Sequence, residues 1–213
     1  MSTGHRGLLV TFDGPAGAGK STAVRLTARY LEDRGLATHT TAEPSQQVLG
    51  TIARNNTDTF RGLSLACLVA ADRYRHLETE LRPYKRAGGI VLCDRYVASS
   101  LVLQRMDGVP LDFLVGLNAH ADLPDLAVLL TVEPSVAVER VAVRGAHTRF
   151  HQGIASAEQE VAFYEEAATW LTSRGVPLLT VDTTDAAESE VAAHIGARIT
   201  RLAATAGTRA AEA

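Results

Sequence analysis

Residues Gly14-Pro15-Ala16-Gly17-Ala18-Gly19-Lys20-Ser21 fit the pattern G-x-x-x-x-G-K-[ST]. They follow Leu8-Leu9-Val10-Thr11-Phe12, a short apolar run with strand character, and Ser21 to Asp33 reads as a helix. The pattern has a mechanism only in this strand–loop–helix setting. Glycines let successive backbone N–H groups curl round phosphate oxygens without Cβ clashes. The helix N-terminus adds its partial positive charge. Gly14 to Thr22 therefore form a candidate cradle for nucleotide phosphates. Lys20 is expected to bridge the outer phosphates and the Ser21 hydroxyl to ligate Mg²⁺. A glycine-rich turn with a chance lysine is the bland alternative, and the flanking strand and helix argue against it.

Further short apolar runs alternate with helical patterns. Strands are expected at Ala37–Thr41, Ile90–Cys93, Leu126–Val132 and Val176–Val181. Helices are expected at Leu63–Arg86, Leu111–Ala121, Ser135–Arg144, Ser156–Ser173 and Ala186–Leu202. Apolar strands separated by helices indicate a parallel sheet covered on both faces. The expected fold is a three-layer α/β P-loop fold with a five-stranded parallel sheet. One domain is expected over residues 1–204, with a disordered tail at 205–213.

The 213 residues suffice for one such domain. A net charge of −3 offers no basic face for nucleic acid. No apolar run reaches the ~18 residues of a membrane helix. The N-terminal run is too short for a signal-peptide core. The cytoplasm is the expected location, without a membrane or nucleic-acid partner. Cys67 and Cys93 lie in apolar segments and are expected as reduced core thiols rather than a disulfide.

Ligands of parallel sheets gather beyond the carboxyl ends of the strands. Those positions are Asp13-Gly14, Glu43-Pro44, Asp94-Arg95-Tyr96, Glu133-Pro134 and Asp182. Acids there suit a magnesium-nucleotide site. A GTPase would need N-K-x-D after a later strand, but Glu133-Pro134-Ser135 follows Leu126–Val132. No strand ends in the Asp-Glu pair of an ATPase motor. Several arginines instead occupy places where a second phosphate could bind, which points to a kinase.

Asp94-Arg95-Tyr96-Val97-Ala98-Ser99-Ser100 resembles the D-R-Y-x-x-S-S segment of thymidylate kinases. Phe12-Asp13-Gly14 through Ser21-Thr22 is similar to that family's P-loop. Glu43-Pro44, Leu49-Gly50 and Arg54 match its E-P-G-G-T-x-L-G-E-x-I-R segment, with Ser45-Gln46 in place of the glycine pair. Ala70-Ala71-Asp72-Arg73 matches A-A-x-R, Pro124-Asp125-Leu126 matches P-D-L, and Arg140, Arg144-Gly145 and Arg149 match the lid. Tyr164 matches a tyrosine beyond it. The resemblance covers roughly Leu8 to Ile199.

The resemblance implies transfer of the γ-phosphate of ATP, with Mg²⁺, to the 5′-phosphate of a nucleotide. Such transfer is mostly positioning and charge stabilisation. It implies that Arg95 holds the acceptor phosphate, helped by Arg54, with Asp94 near the magnesium. Arg144 and Arg149, in a lid over about 144–153, would close on the transferring group. The acceptor would lie among Asp13, Glu43, Arg54, Val69 and Arg73 on one side. Arg95, Ser99, Ser100, Leu103 and Gln104 would line the other. The family is commonly dimeric through long helices, so a homodimer is expected, with Leu65, Leu68, Val69 and Leu77 as a stripe equally suited to a core.

The chain departs from the family around the acceptor. The family's P-loop acid, which contacts the sugar, is Ala16 here. Its base-stacking phenylalanine is Val69. Its tyrosine beneath the deoxyribose is Leu103. The arginine before Glu43-Pro44 is Ala42, and the acid ending the lid is His151. Stacking on an aromatic contributes about 1–3 kcal/mol per base in single-strand binders, and valine supplies part of that. These changes point to dTMP handled weakly, or to a modified or alternative pyrimidine nucleotide. A metabolite kinase on the same scaffold would leave Arg95 and Arg54 without a phosphate. A non-catalytic nucleotide-binding module would not need Lys20, Ser21, Asp94 and the lid arginines together. His147 and His151 have helical spacing but no third metal ligand. Glu165-Glu166 reads as a solvated face, and Trp170 as a packing residue.

Overall fold

The computed structural model describes residues 7–144 and 153–211. Five strands, β1 (Leu8–Asp13), β2 (Thr38–Ala42), β3 (Ile90–Asp94), β4 (Leu126–Thr131) and β5 (Leu178–Asp182), form one sheet in the order β2-β3-β1-β4-β5. Every pairing is parallel. The expected five-stranded parallel sheet is therefore present.

Burial explains the order. β1 is buried at all six positions, and its residues alternate between two cores. Leu8, Val10 and Phe12 join Leu92, Val128 and Leu130 on one face. Leu9 joins Val91, Cys93, Ala127 and Leu129 on the other. A strand apolar on both faces has to be central, because burying each Leu or Val side chain contributes about 1.5–3 kcal/mol. β2, Thr-His-Thr-Thr-Ala, is half-buried or exposed throughout and takes an edge.

The first face is covered by α1 (Lys20–Glu32) and α9 (Glu188–Ala211) through Ala28, Leu31, Ile195 and Ile199. The second is covered by α3 (Gly62–His76), α5 (Val97–Met106) and α8 (Gly153–Ser173). The remaining helices are α2 (Val48–Asn55), α4 (Arg82–Arg86), α6 (Leu111–Leu117) and α7 (Pro134–Arg144). Helix α9 continues to Ala211, through the segment that composition marks as a tail.

Helices α2 and α5 lie outside the expected helices, and two further local features differ from the sequence expectation. The long helix expected over Leu63–Arg86 contains a wider π turn at Leu77–Leu81. It lies just ahead of Pro83, which has no N–H for the helical ladder. Helix α2 carries a glycine and β-branched residues, a weak local signal. Gly50 is required there, because a Cβ would lie 2.1 Å from the Ser45 carbonyl oxygen. Both cysteines are free, but Cys67 is exposed and only Cys93 is buried. The expectation of two core thiols thus fails for Cys67, which sits on the outer face of α3 beside exposed Leu63 and Ser64.

The connection from β1 leads toward β2, whereas β4 lies on its other side. Strand addition thus switches sides at β1, and a crevice opens at its carboxyl end. Asp13 of β1 and Asp94 of β3 end side by side there.

Candidate active site

The loop between β1 and α1 is built against its neighbours. Gly14 has φ 143°, and a Cβ there would lie 2.2 Å from the carbonyl oxygen of Leu130 on β4. The first glycine of the pattern is thus fixed by close approach as well as by conformation. Lys20 is buried and its Nζ donates to the carbonyls of Gly14 and Pro15, each at 2.7 Å. Burial brings its pKa from 10.5 to about 7; the Arg95 charge pushes the same way, against Asp94, Glu160 and Asp13. A buried ammonium beside a guanidinium is the electrostatic setting a polyanion would relieve. The Ser21 hydroxyl donates to Asp94 Oδ2 at 2.5 Å. One oxygen of Asp13, Oδ2, is buried without a hydrogen-bond partner among the described residues. A hydroxyl beside one carboxylate, with a second carboxylate on the next strand, is a hard-oxygen donor set that fits Mg²⁺.

Arg95 follows β3 with φ 70°, the left-handed region rarely used by residues with a Cβ. Its N–H donates to the Phe12 carbonyl at 2.8 Å. Asp13 Oδ1 takes the N–H groups of Tyr96 and Ser99, each at 3.0 Å, and the Ser99 hydroxyl at 2.6 Å. The start of α5 is thereby capped from the neighbouring strand. The Arg95 side chain reaches the Tyr164 and Ser99 hydroxyls at 3.3 and 3.4 Å. Burial raises the pKa of Asp13, and the bonds from Ser99 and Tyr96 with the Arg95 charge oppose the rise.

Beside this cluster, Arg73 is 1% exposed. Its Nε donates to Glu43 Oε2 at 2.6 Å and its Nη2 to the Ser100 hydroxyl at 2.9 Å, while Nη1 donates to Asn118 Oδ1. Gln104 is buried, and its Oε1 has no partner among the described residues. Val69 packs with Ala53, Leu65 and Phe60. Leu103 is half-buried on α5.

On the other side of the loop, a cleft of about 150 Å³ is lined by Gly17, Gly19, Thr22, Arg140, Thr183 and Glu188. Arg140 donates to the carbonyls of Thr183 and Thr184 at 2.9 and 2.8 Å.

The family model for thymidylate kinase matches residues 12–190, from the end of β1 into α9. The chain belongs to the thymidylate kinase family. A probable thymidylate kinase of Staphylothermus marinus is 35% identical over 147 residues, covering 68% of this chain and 73% of that protein. A thymidylate kinase of Caldicellulosiruptor saccharolyticus is 32% identical over 172 residues, covering 74% of this chain and 84% of that one. A thymidylate kinase of Xanthomonas oryzae pv. oryzae is 38% identical over 142 residues, covering 65% and 62%. The chain is thus a nucleoside monophosphate kinase, a phosphotransferase of the thymidylate kinase type.

Within this thymidylate kinase frame, the fold brings Asp13, Lys20, Ser21, Asp94, Arg95 and Ser99 together at one crevice. Glu43, Arg73, Ser100 and Gln104 form the adjoining wall. Arg54 is turned elsewhere. Its Nη2 donates to the carbonyls of Pro44 and Ser45, the latter at 3.1 Å, and its Nη1 to Gln46 Oε1 at 3.1 Å. It braces the segment after β2. Arg144 ends α7, and Arg149, His147 and His151 lie outside the described residues. Glu166 makes a 2.6 Å contact with Arg105. Trp170 is half-buried against the second core.

Three residues escaped the sequence reading. Asn118 holds Arg73 from the end of α6, with no motif around it. His76 lies against Glu43. Glu160, 2% exposed, accepts the Ala16 N–H at 3.2 Å. Its i,i+4 spacing from Tyr164 was the available signal.

Proposed function

We propose that the chain transfers the γ-phosphate of ATP to the 5′-phosphate of a pyrimidine deoxynucleoside or nucleoside monophosphate. The acceptor is dTMP or a modified or alternative pyrimidine nucleotide. The observation that carries this reading is the placement of two cationic groups beyond the carboxyl ends of adjacent strands, Lys20 opening α1 after β1 and Arg95 directly after β3. Lys20 serves the phosphate loop after β1, and Arg95 emerges from β3 in a conformation fixed by Phe12 and Asp13. A kinase joining two phosphate-bearing substrates needs two such groups converging on one point.

In this reading Gly14 to Thr22 hold the donor phosphates, and the cleft under Arg140 takes the donor base. Ser21 and Asp94 hold Mg²⁺, which neutralises charge on the donor phosphates. Arg95, with Ser99 and Tyr164 fixing its head, orients the acceptor phosphate. Arg144 and Arg149 supply the remaining positive charge from the lid. Arg73, Ser100 and Gln104 read the base edge. Arg73 retains two N–H groups beyond its three bonds, because a guanidinium carries five. Val69 and Leu103 supply apolar walls. Ala16, Val69 and Leu103 together favour an acceptor other than unmodified dTMP. The enzyme is assigned to the cytoplasm, and to a homodimer through α3, where Leu63 is exposed. Light scattering on the eluted protein gives the oligomeric state.

The deciding assay is ADP release from ATP and Mg²⁺ with dTMP, dUMP, dCMP, CMP, UMP and 5-substituted pyrimidine monophosphates. Lys20→Ala serves as the control. Turnover that prefers a nucleotide other than dTMP supports the altered acceptor. Ordinary efficiency on dTMP removes that part of the reading. No turnover on any acceptor removes the kinase reaction itself.

A further inference from the structure

The exit of edge strand β2 is fastened to helix α3 by three side chains. Asp72 takes the N–H and the hydroxyl of Ser45, each at 2.6 Å. Arg73 Nε meets Glu43 Oε2. His76, three residues on, places Nδ1 3.3 Å from the other Glu43 oxygen and Nε2 2.9 Å from the Thr41 hydroxyl. His76 is fully buried, and Glu43 and Arg73 nearly so. The line then continues outward. Glu80 Oε1 lies 3.4 Å from His76 Nε2 and 2.8 Å from His39 Nε2. The His39 ring stacks on Tyr84 with centroids 3.9 Å apart. Hydrogen-bonding groups thus run from Ser100 and Asn118 through Arg73, Glu43 and His76 to the edge of the sheet.

The ring of His76 is held between acceptors. Ionised carboxylates only accept, and Glu43 faces Nδ1. Nε2 meets the Thr41 hydroxyl at 2.9 Å, nearer than Glu80 at 3.4 Å, and that hydroxyl donates to Glu80 and so is left to accept from the ring. A neutral imidazole has one N–H and one bare lone pair, so that lone pair would face either the Glu43 carboxylate or the accepting Thr41 oxygen. A doubly protonated ring donates on both sides. Charge leads the same way. Glu43 is buried between Arg73 and His76, and Glu80, about a quarter exposed, has His39 and His76 beside it, so a protonated His76 ring is a cation shared by both carboxylates.

We propose that His76 is a positioning residue for the acceptor site. Its protonated ring, braced between Glu43 and Glu80, fixes the Glu43 carboxylate and through it the Arg73 guanidinium. Acceptor affinity then weakens as the ring loses its proton. The inference rests on Arg73 belonging to the acceptor site. The groups facing the ring are Thr41, Glu43 and, through Glu80, His39 from β2, Glu80 from the π turn, and Arg73 on its own helix. Cys93 of β3, beneath Glu43, stays a neutral thiol because burial and the neighbouring carboxylates push its pKa up. Burial alone would lower the His76 pKa, but the hydrogen bond and charge of Glu43, and then Glu80, raise it above the usual 6.5.

The test measures KM for the acceptor, KM for ATP and kcat between pH 7 and 9, above the second phosphate pKa of about 6. Wild type and His76→Gln are compared with the best acceptor of the nucleotide panel. In wild type the acceptor KM rises severalfold with pH, whereas the pH dependence of the ATP KM, which Lys20 governs, is the same in wild type and His76→Gln. In His76→Gln the acceptor KM is already raised about tenfold at pH 7, a difference of about 1.4 kcal/mol, and it no longer varies with pH. Whether or not the variant folds, ¹⁵N-histidine NMR on the wild type gives an independent reading. His76 shows both nitrogens protonated at pH 7, with a midpoint above 6.5. A midpoint at or below that value, a flat wild-type acceptor KM, or equal loss of both substrates in the variant overturns the inference alone. Absence of turnover on every monophosphate overturns it together with the proposed reaction.

Discussion

The carboxylate of Asp13 holds Ser99 twice on one oxygen, taking its backbone N–H at 3.0 Å and its hydroxyl at 2.6 Å. The same oxygen takes the Tyr96 N–H. The last residue of β1 thus anchors the backbone just beyond Arg95, whose left-handed conformation costs on the order of 1–3 kcal/mol that its surroundings have to offset. Asp13 is therefore a positioning residue for Arg95.

Asp13→Asn keeps a carbonyl oxygen for the three bonds and removes the charge facing Lys20 and Arg95. The expected result is a kcat loss of roughly tenfold or more, equivalent to about 1.4 kcal/mol of barrier, with unfolding free energy changed by less than that. Ser99→Ala should cost about 1 kcal/mol of stability through the lost hydroxyl bond. Urea unfolding and steady-state rates on both variants check this. A folded Asp13→Asn with unchanged kcat would show that the charge is irrelevant to Arg95.

Ser21 and Asp94 meet at 2.5 Å, on the first turn of α1 and the end of β3. If they share a magnesium ion, EDTA should abolish turnover and excess Mg²⁺ restore it. Ser21→Ala should raise the Mg²⁺ concentration for half-maximal rate by roughly tenfold, the scale of losing a group that supports a metal. Rates titrated against free Mg²⁺ provide the measurement, and an unshifted curve removes Ser21 from the metal site.

The central strands and the phosphate loop were legible because their signals are local. Leu8–Phe12 and Leu126–Val132 are continuous apolar runs, and the loop has fixed spacing. Helices α2 and α5 were not, because Val48–Asn55 and Val97–Met106 contain β-branched residues whose helical state comes from packing and capping. The Asp13 cap of α5 comes from 83 residues away in sequence, beyond any local pattern. Arg54 shows the converse. Its motif position is plain in the sequence, but the three N–H groups that brace Pro44, Ser45 and Gln46 are a tertiary arrangement no pattern reports. Asn118 and His76 act through tertiary contacts alone.

The line from His76 to His39 also has a stability signature. Burial pushes the Glu80 pKa up, but bonds from Thr41 and His39 and the His76 charge bring it down from 4.5 to about 2. Its contribution is present above pH 4.5 and lost as pH falls toward 2. The raised pKa of His76 acts in the opposite direction: its contribution is complete below pH 6.5 and is lost as pH rises through the folded value. The difference in unfolding free energy between wild type and Glu80→Gln should therefore peak between pH 4.5 and 6.5. Partial exposure of Glu80 keeps it at about 1 kcal/mol or less. Urea unfolding across pH 3 to 9 tests this, and a difference that keeps rising above pH 8 contradicts the paired protonated ring.

Glu160 of α8 accepts the Ala16 N–H at 3.2 Å inside the site, with the Lys20 and Arg95 charges nearby. Ala16 itself is 6% exposed and brings only a methyl group. Carboxylates on both residues would be like charges confined to one buried place, where neither is easily ionised. Ala16→Asp alone should lose most activity, and Glu160→Gln alone should lose less. The double variant should recover much of what Ala16→Asp loses, because one carboxylate is again shared among the same cations. Values of kcat/KM for the four proteins form a double-mutant cycle, with an expected coupling of about 1–2 kcal/mol. Simple additivity would mean that residues 16 and 160 do not compete for the same place, and that the contact with the Ala16 N–H carries no catalytic consequence.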